Sequence, residues 1–413
     1  MAKQENLLQS LITRNEGQSI VRTVSRGIHQ VLPDPESLGA VMQERKLKVY
    51  LGIDPTSPNL HLGHAVPLRK LRDFQENGHE TVLLFGTFTG MIGDPTDKTA
   101  ARTKLTPQQI TQNVEDYQGQ AGKILDLSPE NPNPVSIEYN HKWLGSMNFA
   151  DVVELAANFT VQQMQVREMF RERLKNNQPV YLHEFLYPLM QGQDSVAMDV
   201  DVEIGGKDQT FNMLIGRDLV RRYLNKNKYV VATKLIEDPN GKKMGKTEGN
   251  IVGLRDKSEV KYEAMMKWPD SAIPLGFELL TSALMESVTQ AEQEVKAGML
   301  NPLDFKEALA QRVVTELDGE TEAISARNEF NLVYRKGEKP SRITEVDIET
   351  GISISEALVA IGLTANEEEA KKQIAGRTVF VNDRVAKAST TIGETSIIQI
   401  GRKTIKNIRI AKV

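Results

Sequence analysis

Two short stretches carry residue types suited to handling a polyphosphate. In Gly52-Ile53-Asp54-Pro55-Thr56-Ser57-Pro58-Asn59-Leu60-His61-Leu62-Gly63-His64, two histidines stand three residues apart. On a helix that spacing puts both imidazoles on one face, able to donate to phosphate or ribose oxygens. Gly63 lets a flat ligand approach closely, and a helix opening here aims its N–H groups and positive dipole end at an anion. His-x-x-His alone is weak, because a surface helix with two unrelated histidines is the commoner case. Its place directly after an apolar run and a Gly-Ile-Asp-Pro-Thr turn makes it informative. The second stretch is Gly241-Lys242-Lys243-Met244-Gly245-Lys246-Thr247, with a further glycine at 249. Glycines among cations suit a loop that closes over phosphates. A lone lysine-rich loop is usually solvated surface; the two stretches in this order are far more specific.

Such residues need a frame. Short apolar runs at Val49–Ile53, Thr81–Phe85, Val135–Tyr139, Val200–Ile204 and Tyr229–Ala232 read as buried strands. Segments of helical length, such as Leu62–Asn77 and Phe149–Lys175, lie between them. Strands alternating with helices imply an α/β fold with a parallel sheet covered on both faces, where ligands bind beyond the carboxyl ends of the strands. The first 45 residues read as helical and irregular. Past Asn250 the strand signal fades, and Glu259–Lys267, Ser287–Ala297 and Pro302–Leu317 read as helices. Arg335-Lys336-Gly337-Glu338-Lys339-Pro340 reads as a linker. The expected domains are therefore 1–249, catalytic; 250–335, helical; and 341–413, a small α+β unit. In the last, Ser353–Ile361 and Asn366–Ala375 read as helices and Thr378–Val381, Ser396–Ile400 and Thr404–Ile410 as strands, with a turn at Asn382-Asp383.

Composition narrows the chemistry. The chain has 413 residues, 39% hydrophobic and 26% charged, as in ordinary globular proteins of more than one domain. Its zero cysteines exclude disulfides, thiol catalysis, iron–sulfur clusters and thiolate zinc sites. No apolar stretch approaches the roughly 20 residues of a membrane span, and the N-terminus lacks a signal peptide's apolar core, so a cytoplasmic location is expected. The net charge of −4 hides an asymmetry: from Lys371 onward ten Lys/Arg face two Asp/Glu. An acidic body with a basic tail suggests a polyanionic partner for the tail.

The two phosphate-handling stretches resemble the HIGH and KMSKS signatures of class I aminoacyl-tRNA synthetases. Four further blocks are similar to the bacterial tyrosyl-tRNA synthetase family: Tyr50-Leu51-Gly52-Ile53-Asp54-Pro55-Thr56, Thr89-Gly90-Met91-Ile92-Gly93-Asp94-Pro95, Tyr187-Pro188-Leu189-Met190-Gln191-Gly192-Gln193-Asp194 and Gly205-Gly206-Lys207-Asp208-Gln209. Gly351 to the end resembles an S4-type RNA-binding domain. The resemblance implies a Rossmann-like catalytic domain, then a helical domain and an S4-like domain. It also implies tyrosine–tRNA ligase activity, with L-tyrosine, ATP and tRNA(Tyr) as partners, and a homodimer with no membrane association. Mg²⁺ would travel with ATP, with no tightly bound, protein-ligated metal.

Carried over residue by residue, the resemblance implies that Tyr50 and Asp194 hold the tyrosine hydroxyl, with Gly52 beside them. Asp94, Tyr187 and Gln191 would bind its ammonium, and Gln209 would face its carboxylate. Thr56 and His61 would stabilise the departing pyrophosphate, with His64 near the ribose. Asp54, Gly63, Gly206 and Asp208 would line the ATP site, Asp208 at the ribose. Lys98, Arg102, Lys243, Lys246 and Thr247 would clamp the phosphates. In the tail, Lys371, Lys372, Arg377, Arg384 and Lys387 could form one phosphate-binding face for RNA. Three positions depart from the family pattern: Gly245 for a serine, Gln193 for a common aromatic, and Thr210-Phe211-Asn212 for Trp-Gly-Asn.

Plainer readings exist for single residues. Asp94 before Pro95 could be an Asx turn, Tyr50 a core tyrosine, Asp208 a helix N-cap, and Lys98 and Arg102 surface charge. For the whole chain, the related tryptophanyl class is opposed by Tyr50 with Asp194, a hydroxyl and carboxylate suited to a phenol. A synthetase-derived RNA-binding or RNA-folding protein is opposed by the intact phosphate-handling set. Carboxylate attack on the α-phosphate of ATP needs no enzyme nucleophile, only positioning and stabilisation of charge on the leaving pyrophosphate.

Overall fold

All five apolar runs form strands, within a residue or two of the ends expected. They are β2 (Lys48–Ile53), β3 (Glu80–Phe85), β4 (Ser136–Tyr139), β5 (Val202–Gly206) and β6 (Tyr229–Thr233). The computed structural model describes residues 2–13, 19–94, 106–237, 252–338, 344–348, 351–393, 395–401 and 404–410. The chain divides into two units, Met1–Glu320 and Thr321–Val413.

The first unit contains a six-stranded sheet in the order β1-β6-β5-β2-β3-β4. Here β1 (Ile28–Leu32) corrects the expectation of a purely parallel sheet: it pairs antiparallel with β6, while the other five strands run parallel. As an edge strand with only Val31 buried, it lacks the apolar run that marks the others. From the centre, β2 leads outward to β3 and β4, whereas β5 leads the opposite way to β6. The gap between β2 and β5 is therefore the topological switch point, where a ligand finds room beyond the strand ends.

Helices of this unit begin with α1 (Ala2–Ile12), α2 (Ile20–Ser25) and α3 (Pro35–Glu44), then α4 (Leu62–Glu76) between β2 and β3 and α5 (Pro107–Ala121) before β4. After β4 come α6 (His141–Leu144), α7 (Phe149–Ala156), α8 (Val161–Gln165), α9 (Glu168–Lys175) and α10 (Leu182–Ala197); α11 (Thr210–Leu224) joins β5 to β6. Residues 149–175 are thus three helices and not the single long segment expected. Thr160 caps α8 by accepting from Gln163 N–H, and Arg167 is extended (ψ 123°), which ends it. Helices α10 and α11 touch closely because Gly192 has no side chain; a Cβ there would come within 2.7 Å of Leu219. Right-handed crossovers running opposite ways from the centre put α4 and α11 on opposite faces of the sheet.

At the amino ends of the strands, Asp201 accepts from Lys48 N–H at 2.8 Å and pairs with Arg45 (2.8 Å) and Lys226 (2.9 Å). Burial alone would raise its pKa, but these partners outweigh it and hold the carboxyl at about 2. The clamp ties α3, β2 and the start of β6 to β5. Beyond β6, α12 (Ser258–Met266), α13 (Ile273–Leu280), α14 (Met285–Lys296) and α15 (Pro302–Asp318) follow. Arg69 and Arg312 meet the buried Glu316, at 2.7 and 2.8 Å, and join α4 to α15.

The second unit contains α16 (Glu320–Phe330) from Thr321 onward, a π-turn at Asn331–Arg335, and the strands β7 (Thr344–Ile348) and β8 (Ile352–Ser353). Next come α17 (Ile354–Ala360), α18 (Glu367–Ala375), β9 (Val379–Val381), β10 (Arg384–Val385), β11 (Thr391–Ile392), β12 (Ser396–Ile400) and β13 (Thr404–Ile410). Its main sheet runs β10-β9-β12-β13-β7, with only β7 and β13 parallel. Ile354, Leu358, Ile374, Val379 and Ile398 form its core under α17 and α18. Asn382 and Asp383 both have positive φ (47° and 64°), the backbone that a tight two-residue hairpin needs.

Candidate active site

The start of α4 lies just beyond β2. His61 is the N-cap and precedes the helix, so the two imidazoles do not share a helical face as the spacing suggests. They instead form a reciprocal cap: Gly63 N–H donates to His61 Nδ1 at 3.1 Å, and His61 N–H donates to His64 Nδ1 at 3.2 Å. The rings lie 3.9 Å apart. With both Nδ1 atoms accepting, each neutral ring carries its proton on Nε2, as a donor to an anion. Gly63 is required, since a Cβ would sit 2.8 Å from the His61 ring. The chain resumes at Val252, whose carbonyl accepts from Leu62 N–H at 3.1 Å, and Gly253 bridges to His61. Residues just past Gly241–Thr247 are therefore held beside the histidines.

A hydrogen-bond chain rims the neighbouring strand ends. Asp54 accepts from Thr89 Oγ1 at 2.7 Å and from the Tyr187 hydroxyl at 2.9 Å. Gly86 leaves room for this contact, because a Cβ there would overlap Asp54. Asn140 donates to Thr89 Oγ1 at 2.9 Å and to Asp194 at 3.3 Å, and Trp143 Nε1 donates to Asp194 at 2.7 Å. Asp194 is 3% exposed. Burial pushes its carboxyl well above the ordinary range, and the Trp143 and Asn140 donors oppose that. Burial, then the charges of Asp54 and Asp94, likewise push the Tyr187 phenol up.

The second chain starts at Asp94, which accepts from Gln209 Nε2 at 2.7 Å and pairs with Arg167 at 3.1 Å. The Asx-turn reading is thus not needed to explain Asp94. Arg167 reaches it from the break between α8 and α9. Asn212 donates to the carbonyl oxygens of both Gln209 and Gln191, each at 2.9 Å. Gln191 Nε2 donates to Glu203 at 2.9 Å. Glu203 also pairs with Lys228 and accepts from Ser195 Oγ at 3.2 Å. Ser195 lies 3.0 Å from the hydroxyl of Tyr50, which is wholly buried. Burial, then Glu203 and Asp194, raise the Tyr50 phenol. Gln191, Tyr187 and Asp94 all present acceptor oxygens once their other bonds are counted, which suits an ammonium ion.

Asp208 lies in the single turn Lys207–Gln209 ahead of α11 and is not its N-cap, a position Gln209 occupies. Gly206 makes space for it, a Cβ there falling 2.5 Å from Asp208 Oδ1. Thr56 and Gly52 sit at the end of β2. Lys98, Arg102, Lys243, Lys246 and Thr247 lie outside the described residues. In the second unit Lys371, Lys372, Arg377, Arg384 and Lys387 are all exposed. Two of them are paired along α18, Lys371 with Glu367 (2.9 Å) and Lys372 with Glu368 (3.4 Å). Sequence reading missed Thr89, Asn140, Trp143, Arg167, Ser195, Glu203, Asn212 and Lys228. Asn140 directly after a strand was the available signal, as was Glu203 inside an apolar run.

Residues 42–335 match the family model of class I tRNA synthetases (W and Y). The chain belongs to this family. It is 37% identical over 390 residues to tyrosine–tRNA ligase 2 of Vibrio cholerae, covering 94% of this chain and 97% of that protein. It is 37% identical to the tyrosine–tRNA ligase of Thermotoga maritima (94% and 96% covered) and 38% identical to that of Legionella pneumophila (95% and 98%). In fold it is similar to a C-terminally truncated mitochondrial tyrosyl-tRNA synthetase of Aspergillus nidulans, at 21% identity and TM-score 0.64, over 81% of this chain and 99% of that one. The tyrosyl-tRNA synthetase of Archaeoglobus fulgidus complexed with L-tyrosine gives a TM-score of 0.58 at 20% identity, over 78% of this chain and 99% of that one.

Proposed function

We infer that this chain is a tyrosine–tRNA ligase. The observation that carries this reading is the convergence, at the switch point of a synthetase fold, of an acceptor-rich amino-acid pocket and a helix start with two Nε2–H donors. Asp94, Tyr187 and Gln191 would take the ammonium, and Tyr50 and Asp194 the phenol. A tyrosine carboxylate oxygen attacks the α-phosphorus of ATP as the bond to the β-phosphate oxygen breaks, giving tyrosyl-adenylate and pyrophosphate. His61, His64, Thr56 and the α4 dipole lie where charge grows on the leaving group. The segment with Lys243, Lys246 and Thr247, tethered beside His61 at its far end, and Lys98 and Arg102 would complete the clamp. Asp54, Gly63, Gly206 and Asp208 would receive the nucleotide, which arrives as its magnesium complex. A terminal ribose hydroxyl of the tRNA then attacks the activated carbonyl and releases AMP.

The finer organisation is part of the same reading: a catalytic domain over 1–249, a helical domain over 250–335 and an S4-like domain over 341–413. The exposed cations of the last would meet tRNA(Tyr) phosphates. Exposed apolar side chains gather on the helices between β4 and β5, with Phe149 83% and Leu182 79% exposed. We assign that face to a second copy of the chain. The location is cytoplasmic, where tRNA is charged; no described helix is long and apolar enough to cross a membrane. Tyrosine-dependent exchange of pyrophosphate into ATP tests the reading. Exchange driven by tyrosine and not by tryptophan is expected; exchange driven by tryptophan, or none, overturns it.

A further inference from the structure

Behind Tyr50 lies a buried ion pair with no part in the roles assigned so far. Lys228 and Glu203 are 0% and 2% exposed, although burying charges is costly unless they do something for each other and their neighbours. The fold makes deliberate room for them. Gly216 on α11 leaves the space that the ammonium fills, since a Cβ there would lie 2.5 Å from Lys228 Nζ and 2.9 Å from Ser195 Oγ. Glu203 on β5 is the register partner of Tyr50 on β2, so both side chains rise from one face of the sheet.

We propose that Lys228, acting through Ser195, sets the direction of the hydrogen bond at the Tyr50 hydroxyl and so makes the pocket selective for a phenol. This rests on the ligase reading above. An ammonium can only donate, so Ser195 Oγ, 2.8 Å from Lys228 Nζ, must accept from it. Ser195 then has one proton and two takers, Glu203 at 3.2 Å and Tyr50 at 3.0 Å. Glu203 is already served by Lys228 and by Gln191, so the proton goes to Tyr50. Tyr50 in turn gives its own proton to the pocket. A phenol oxygen arriving there accepts from Tyr50 and donates to Asp194. The bonds then all point one way, from the ammonium of Lys228 through Ser195, Tyr50 and the substrate to the carboxylate of Asp194.

Phenylalanine breaks this chain at its middle and leaves a donor and an acceptor unpaired in a buried site. Without Lys228, Ser195 would turn its proton to Glu203 and Tyr50 would donate to Ser195. The substrate hydroxyl would then face two acceptors with one proton. Lys228, Glu203 and Ser195 are thus positioning residues for the amino-acid step.

The test is pyrophosphate exchange by the full chain with tyrosine and with phenylalanine. The double variant Lys228→Met/Glu203→Gln removes both charges together and leaves neither buried alone; Ser195→Ala removes the relay and keeps the ion pair. In each, kcat/KM for tyrosine should fall about tenfold or more while that for phenylalanine and the KM for ATP stay within about twofold. The tyrosine-to-phenylalanine ratio should narrow accordingly. An unchanged ratio in a variant whose melting temperature matches the parent's overturns the proposal. Equal losses for both amino acids do so too, because they mark a purely structural role. If the double variant does not fold, Ser195→Ala decides. No tyrosine-dependent exchange by the parent chain would instead remove the ligase reading itself, and this inference with it.

Discussion

Asp194 shows how much chemistry a single carboxylate carries when its surroundings are fixed. It sits among Trp143, Asn140 and the apolar side chains of Tyr187 and Met190, and its two donors use only part of its accepting capacity. A phenol supplies the missing donor. In Asp194→Asn the Trp143 bond can persist, but the acceptor loses its charge. An unpaired buried polar group costs about 1–3 kcal/mol, more if charged, so the preference for tyrosine over phenylalanine should shrink by about 10- to 100-fold. Exchange rates with the two amino acids measure this, and an unchanged preference would place the reading of the hydroxyl elsewhere. Tyr50, Asp94, Tyr187, Gln191 and Asp194 were legible in the sequence because they stand in short blocks at strand ends. Arg167, Ser195 and Lys228 were not. Their meaning comes from contacts between residues 25 to 73 positions apart, as with Lys228 and Glu203 or Arg167 and Asp94.

Elements place these groups, and their breaks matter as much as their runs. The five parallel strands were plain from their apolar runs, whereas β1 was hidden because an edge strand with one buried side chain carries almost no pattern. The turn between α8 and α9 was invisible for a different reason. Arg167 is a good helix former, and only its bond to Asp94 explains why the chain is extended there. The same broken helices present Phe149 and Val153 on α7, Val161 on α8 and Leu182 on α10 to solvent. Large apolar side chains exposed together are costly to a lone protomer and suit an interface core. The parent chain should therefore scatter light as a species of twice its mass at micromolar concentration. Phe149→Asp/Leu182→Asp should shift it toward the monomer, since each buried copy of an aromatic or leucine side chain contributes about 1.5–3 kcal/mol and every substitution acts twice in a symmetric pair. A parent that is already monomeric would assign this face another role.

At the scale of the whole molecule, charge and chemistry are separated along the chain. Every described residue assigned to the amino acid or nucleotide lies between Tyr50 and Gln209, inside the first unit, Met1–Glu320. The net charge of +8 lies from Lys371 onward, inside the second. That unit has its own core, from Ile354 to Ile398, and the first has its own sheet and helices, so neither depends on the other's hydrophobic interior. A chain ended after Lys339 retains all of α16 and the first unit. It should fold, keep the Tyr50 and Asp194 pocket, and form tyrosyl-adenylate at close to the parent's rate. It should charge tRNA poorly, because up to ten cations are gone. The salt dependence of tRNA binding discriminates this from a general loss of fitness. Each phosphate contact contributes roughly 0.7–0.9 to the slope of log affinity against log salt, so removing even five contacts should flatten it by about 4. Lys371 and Lys372 already spend part of their charge on Glu367 and Glu368, so Arg377, Arg384 and Lys387 should account for most of the change among the described cations. Equal slopes and equal charging by both forms would give the basic tail a different partner.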